Sequence, residues 1–274
     1  MVCRIAPYPR CVDAAILSDV PVPRRAELDQ RFLSNRGSSA KRIPASAKNS
    51  LSETLAAVEK EIDVSARELA LAFEVLAGNC EFGGVQRRAG AEPLGLLRFA
   101  GASPEIAVRG LDCSFAGIGS RLAAYPADND IKEWMMRDEF YGLHYHTFMS
   151  SREVGEDEAI SREQRKVAFL LRVFLEDLAS PRKVYVCVDR FGLPDGALLP
   201  PFLALERHAA HTMLWVQRAP TPSLAGTVEE IEPRLLRGFV DRFAPMENGD
   251  DVSSGSWFEL LMNVWRLLRP EPTA

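Results

Sequence analysis

Apolar side chains recur at helical spacing between Ser161 and Leu178, with Val167, Leu170, Leu171, Phe174, Leu175 and Leu178 on one face. That period predicts an amphipathic helix, which Pro181 stops. The next run, Lys183 to Asp189 (KVYVCVD), has no charge in its middle and reads as a strand buried on both faces. Thr212 to Gln217 (TMLWVQ) reads the same way, and Asp195 to His208 lies between them as a helix with Pro200-Pro201 near its start. Leu235 to Phe243 is extended or mixed. Ser254 to Leu268 is a closing helix, capped by Ser254 or Ser256, with Trp257, Leu260, Leu261, Val264, Trp265 and Leu268 at its apolar positions. Upstream, the aromatic alternation of Tyr141 to Phe148 favours a strand. Asp130 to Phe140 fits a strand or a short helix, and the glycine-bearing Leu111 to Arg121 fits neither pattern.

In the first half, Ser52-Glu53 followed by Leu55, Val58, Ile62 and Val64 predicts a helix that breaks near Asp63-Val64-Ser65. Leu71 to Leu76 is a short apolar run of strand type, closed by Ala77-Gly78-Asn79. Cys80 follows at once, and Glu81 to Arg88 reads as a helix that fades at Gly90. Pro93 to Phe99 is a turn and a short extended piece, and Ser103-Pro104 starts another helix. Asn35 to Ser52 (NRGSSAKRIPASAKNSLS) has no apolar periodicity. The expected organisation is a flexible N-terminal segment, 1–51, followed by a single α/β domain, 52–274. Its strand–helix–strand pattern from Tyr141 to Gln217 implies a mixed sheet, partly parallel and flanked by helices. Gly117-x-Gly119 lacks the rest of a dinucleotide fingerprint.

Composition narrows the function. At 274 residues, 47% apolar and 26% charged, the chain is of ordinary globular type. A net charge of -5 argues against nucleic acid as partner. No apolar run approaches the roughly 18–20 residues that span a bilayer. The N-terminus lacks a secretory apolar core, so no membrane association and a cytoplasmic location are expected. The five cysteines, Cys3, Cys11, Cys80, Cys113 and Cys187, are odd in number and widely spaced, with no Cys-x-x-Cys pair. That fits free thiols better than a disulfide framework and removes the usual structural-zinc patterns.

Cys80 carries the strongest mechanistic case. A strand, a tight turn and a helix start would place it at a helix N-terminus, whose unpaired N–H groups and partial positive charge favour a thiolate. A thiol hydrolase also needs an imidazole and a group to orient it. His146 or His144, two apart on one strand face, supplies the first, and Asp189 at a strand end supplies the second. Asn79 or Gln86 offers an oxyanion donor. His144, His146 and Asp189 or Asp138 form a weaker metal-site alternative; no metal and no other cofactor is expected. The rival from another class is a non-catalytic binding domain. There Arg98, with Arg87-Arg88 and Arg121, would recognise an anionic ligand or a protein partner.

At these residues the chain resembles a bacterial family described as papain-like cysteine peptidases. The resemblance rests on Gly78-Asn79-Cys80-Glu81-Phe82-Gly83, Gln86-Arg87, Leu96-Leu97-Arg98-Phe99, Tyr145-His146-Thr147 and Phe174-Leu175-Glu176-Asp177-Leu178, across roughly residues 70–190. Gly238 to Pro245, followed by Trp257, is similar to the tail of an alphaproteobacterial branch. Leu97-Arg98-Phe99-Ala100 stands where the better-known branch has Pro-Phe-Asp-Trp, and the histidine context is His-Tyr-His-Thr, so the likeness is to a divergent branch. The resemblance implies Cys80 as nucleophile and His146 as base. Asp189 as third member comes from chain order and its place at a strand end. The expected activity is hydrolysis of an amide or ester in a small-molecule or peptide substrate, and oligomeric state is not legible.

Overall fold

The computed structural model describes residues 51–245, 249 and 251–269. In chain order its elements are α1 (Leu51–Ile62), α2 (Ala66–Leu71), β1 (Phe73–Ala77), α3 (Glu81–Arg88), β2 (Ala100–Gly101), α4 (Pro104–Asp112), β3 (Leu122–Pro126), β4 (Glu133–Asp138) and β5 (Leu143–Ser150). There follow α5 (Glu156–Leu178), β6 (Val184–Asp189), α6 (Leu199–Glu206), β7 (Thr212–Arg218), β8 (Val228–Glu232), β9 (Leu235–Val240) and α7 (Ser254–Leu268). The expected flexible segment 1–51 lies, but for Leu51, outside the described residues.

The molecule is α/β, with its strands in two sheets. The larger has the order β1-β6-β7-β9-β8. Its first three pairings are parallel and β8 is an antiparallel edge. All six residues of β6 are buried, as its uncharged middle predicts, because β1 and β7 flank it and helices cover it. The smaller sheet is antiparallel, β2-β5-β4-β3. The Tyr141–Gln217 pattern therefore spans two sheets: β5 pairs with β4 and β2, and the parallel unit is β6–α6–β7. Strand alternation alone does not distinguish the two arrangements. The core includes the fully buried Trp215, Trp257, Tyr185, Phe82 and Phe174.

Local chemistry explains the element ends. Ser65 Oγ accepts from the Glu68 N–H at 3.1 Å and Glu68 Oε2 accepts from the Ser65 N–H at 2.9 Å, a capping box that starts α2. Leu71 therefore closes a helix, and the strand begins at Phe73. Ser103 caps α4 with Pro104 in its first turn. Among the described residues, Cys80 and Cys187 are free thiols, whereas Cys113 is disulfide-bonded, which departs from the all-thiol expectation. No described helix is long and apolar enough to cross a membrane.

One backbone bridge links the two sheets. Gly78 donates its N–H to Ala102 O at 2.7 Å and accepts from the Ala102 N–H at 2.9 Å, just beyond β1 and β2. Its φ is +112°, and a Cβ there would lie 2.6 Å from Val188 O. Only glycine satisfies both constraints. Gly78→Ala is expected to lower stability by about 3 kcal/mol through left-handed strain and overpacking, read as a lower urea midpoint at unchanged slope.

Candidate active site

Cys80 is the N-cap residue of α3, and its side chain makes no capping bond, which leaves the sulfur for other partners. The helix beneath it is anchored by its own first residue. Glu81, 1% exposed, accepts from the Trp257 indole N–H at 3.1 Å, the Ala244 N–H at 3.2 Å and the Arg190 guanidinium at 3.5 Å. Burial pushes its carboxyl above the usual range, against those bonds. Gly83 lets the helix approach the Arg98 backbone, since a Cβ would lie 2.4 Å from Arg98 O.

The antiparallel sheet supplies the partner. Met135 of β4 pairs with His146 of β5, so Glu133, two residues before Met135, shares the His146 face. His146 Nδ1 lies 3.1 Å from Glu133 Oε2. The Cys80 side chain is near enough to this imidazole to be the largest influence on its charge. Cys80 first and then Glu133 raise His146 to about 10 against the opposing effect of burial. The ring is an imidazolium at neutral pH.

Glu133 is buried and held from several sides. Its Oε1 accepts from the Phe148 N–H at 2.7 Å, and its Oε2 also accepts from Asn129 at 3.4 Å. Burial alone would raise its carboxyl, but the His146 and Phe148 bonds outweigh it and the net shift is downward. Phe148 has φ +60°, a strained conformation for a bulky residue, at the register shift where β4 and β5 lose their regular pairing. That irregularity turns its N–H onto the carboxylate. The Phe148 ring stacks on His146 at 5.8 Å and 19°, and the Arg87 guanidinium lies 4.6 Å from the Phe99 and Phe148 centroids.

The other expected residues are placed elsewhere. Asp189 is at the end of β6, but its oxygens accept from the N–H groups of Phe191, Gly192 and Leu193 and from the Gln217 amide, at 2.8–3.1 Å. It organises the β6 loop and makes none of these bonds to His146. The carboxylate on His146 is Glu133, which the sequence reading did not select. The available signal is a carboxylate heading the apolar Trp134-Met135-Met136 run, one hairpin away from the histidines. His144 shares the His146 face, yet its Nδ1 pairs with the Tyr125 hydroxyl at 2.9 Å. Gln86 is buried, and its amide donates to Ala70 O and Phe73 O, bracing α3 against β1. Asn79 accepts from the Glu81 N–H at 3.2 Å through Oδ1, and its NH2 has no partner among the described residues.

Arg98 is buried, bonds Glu92, Gly83 O and Ala91 O, and so is a structural clamp. Arg87 pairs with Glu92 and Arg88 with Ser254. Of the four arginines named above, Arg87, Arg88 and Arg98 thus have partners within the fold, and Arg121 is exposed. Asp138 is consumed by the N–H groups of Gly119 and Tyr141, and among the described residues no group of three or more His, Cys, Asp or Glu is placed to hold a metal ion.

Comparison with models of known protein families, with curated proteins and with solved structures finds no match.

Two outcomes follow from the His146–Glu133 contact. Because the native histidine pKa is raised, its stabilising contribution is complete below about pH 6.5, the unfolded value, and is lost as pH rises through about 10. The urea midpoint is therefore expected to fall between neutral pH and pH 10, with a shallower fall in Glu133→Gln. In the same variant, the His146 ring resonances followed by NMR are expected to titrate at lower pH than in the wild type.

Proposed function

We propose that this protein is a cysteine-dependent hydrolase of amides or esters, with Cys80 as nucleophile, His146 as proton shuttle and Glu133 as the group that orients and charges the imidazole. The supporting observation is the His146–Glu133 hydrogen bond beside Cys80, at the N-terminus of α3, with Cys80 the largest influence on the imidazole. The resemblance to papain-like peptidases, which implies Cys80 and His146 in these roles, agrees with it. Asp189 takes no part.

Each step uses groups in place. The Cys80 sulfur attacks the substrate carbonyl carbon, and the carbonyl oxygen becomes an oxyanion. Its donors are first-turn N–H groups of α3 and the free NH2 of Asn79. His146 gives its proton to the leaving nitrogen or oxygen as the tetrahedral intermediate collapses to a thioester. The ring, now neutral, accepts a proton from water as the water oxygen attacks the thioester. Collapse of the second intermediate releases the acid and returns the thiolate–imidazolium pair. Glu133 holds Nδ1 throughout, keeping the opposite ring nitrogen towards the sulfur.

Iodoacetamide alkylation of Cys80 tests this directly. At neutral pH the wild-type thiol is expected to react about 10²-fold faster than in His146→Ala, the scale of a positioned acid–base partner. Cys80→Ser is expected to abolish labelling at this position and any turnover of activated esters. Asp189→Asn is expected to leave the alkylation rate within a few-fold of wild type. Equal rates in wild type and His146→Ala would make Cys80 a packing residue.

A further inference from the structure

A cavity lies behind the strand that carries His146. Tyr145 and His146 are successive in β5 and point to opposite faces. On the Tyr145 face α5 packs against the antiparallel sheet, and the Gly95–Ala100 loop closes the end of that interface. The space between them is about 50 Å³. Its walls are largely apolar, including Leu96, Leu143, Val167 and Leu170, and four polar residues line it: Tyr145, Glu163, Lys166 and His146, the last bringing it up to the proposed active site. Lys166 is half-exposed and marks the mouth.

Two of these groups are buried with hydrogen-bonding capacity unused. Tyr145 is 8% exposed and Glu163 is 3% exposed. The Tyr145 hydroxyl and Glu163 Oε2 have no partner, while Glu163 Oε1 accepts from Lys166 Nζ at 3.1 Å. Both line the same cavity, so one small molecule seated there can reach both. Unpaired polar groups at this depth are costly unless something satisfies them. Neither takes part in the proposed hydrolysis.

We propose that this cavity binds a small neutral molecule with a primary carboxamide head on a short apolar tail. The head matches the unused groups: its NH2 donates to Glu163 Oε2, and its carbonyl oxygen accepts from the Tyr145 hydroxyl. Neutrality follows from the charge balance, because Lys166 already compensates Glu163 and a further buried ion would be unpaired. Size follows from the volume, which at roughly 10–15 Å³ per small centre admits about three to five non-hydrogen atoms. The apolar walls take the tail.

Propionamide is the probe, used on the full chain carrying Cys80→Ser so that no chemistry at the thiol contributes. In an NMR titration, the amide resonances of Leu143, Tyr145 and Val167 are expected to shift saturably. Affinity is expected to weaken at least about tenfold, the value of one lost buried hydrogen bond, in Tyr145→Phe and in Glu163→Gln. Both changes nearly conserve volume. Leu170→Phe, which fills the cavity, is expected to abolish binding while its melting temperature verifies folding. Propionate or propanol binding as tightly as propionamide would overturn the proposal, as would shifts confined to the Cys80 side of β5. So would the absence of saturation, or a soaked crystal with ordered water alone on Tyr145 and Glu163. The hydrolase reading survives any of these, since its own test is the alkylation of Cys80.

Discussion

The arrangement depends on the contact between Gly78 and Ala102. One reciprocal pair of backbone hydrogen bonds joins the end of β1 to the end of β2. From the first strand the chain turns at once into Cys80 and α3. From the second sheet come His146 and Glu133, carried on β5 and β4. Cys80 and His146 are thus held by different sheets, and their separation is set where those sheets touch. A side chain at Gly78 would push against Val188 and displace one sheet relative to the other. Glu81 fixes the opposite end, tying the helix start to Ala244 and Trp257.

The second constraint is electrostatic. A buried carboxylate is costly unless its oxygens are satisfied, and Glu133 is satisfied by the partners that give it a role. One is the imidazole and another is a backbone N–H exposed by the strained Phe148. Asp189 is also buried and bonded, but all its partners belong to the β6 loop and the neighbouring β7. Two buried acids with comparable satisfaction therefore do different work. Identity of partner separates them, and burial does not.

Much of this was legible in residue order. The apolar periods of α5, α7, β6 and β7 predict their elements because each is long or uniformly apolar. Gly78-Asn79-Cys80 predicts a turn into a helix because φ above zero is cheap only for glycine. The Ser65–Glu68 capping box is present in the sequence as well, but the short helix it starts is too brief to show an apolar period, and the Leu71–Leu76 strand expectation overlaps it at Leu71. The short strands β3 and β8 carry too little alternation to announce themselves. Glu133 was hidden for a geometric reason. Its partnership with His146 arises from hairpin register and from an irregularity at Phe148, and neither leaves a trace in residue type. Asp189 drew attention because strand ends often hold functional groups; it served loop closure instead.

The wiring of α3 has a temporal meaning. Glu81 is secured by Trp257, a residue 176 positions further along. His146 arrives 66 positions after Cys80. A chain emerging from the ribosome exposes the cysteine long before either support exists, and at that stage the sulfur has no cation beside it and no fixed helix start beneath it. The thiol acquires its surroundings only when the last helix docks. A growing polypeptide of this design carries Cys80 without the surroundings it has in the folded chain, so the environment of that one sulfur reports whether the last helix has docked.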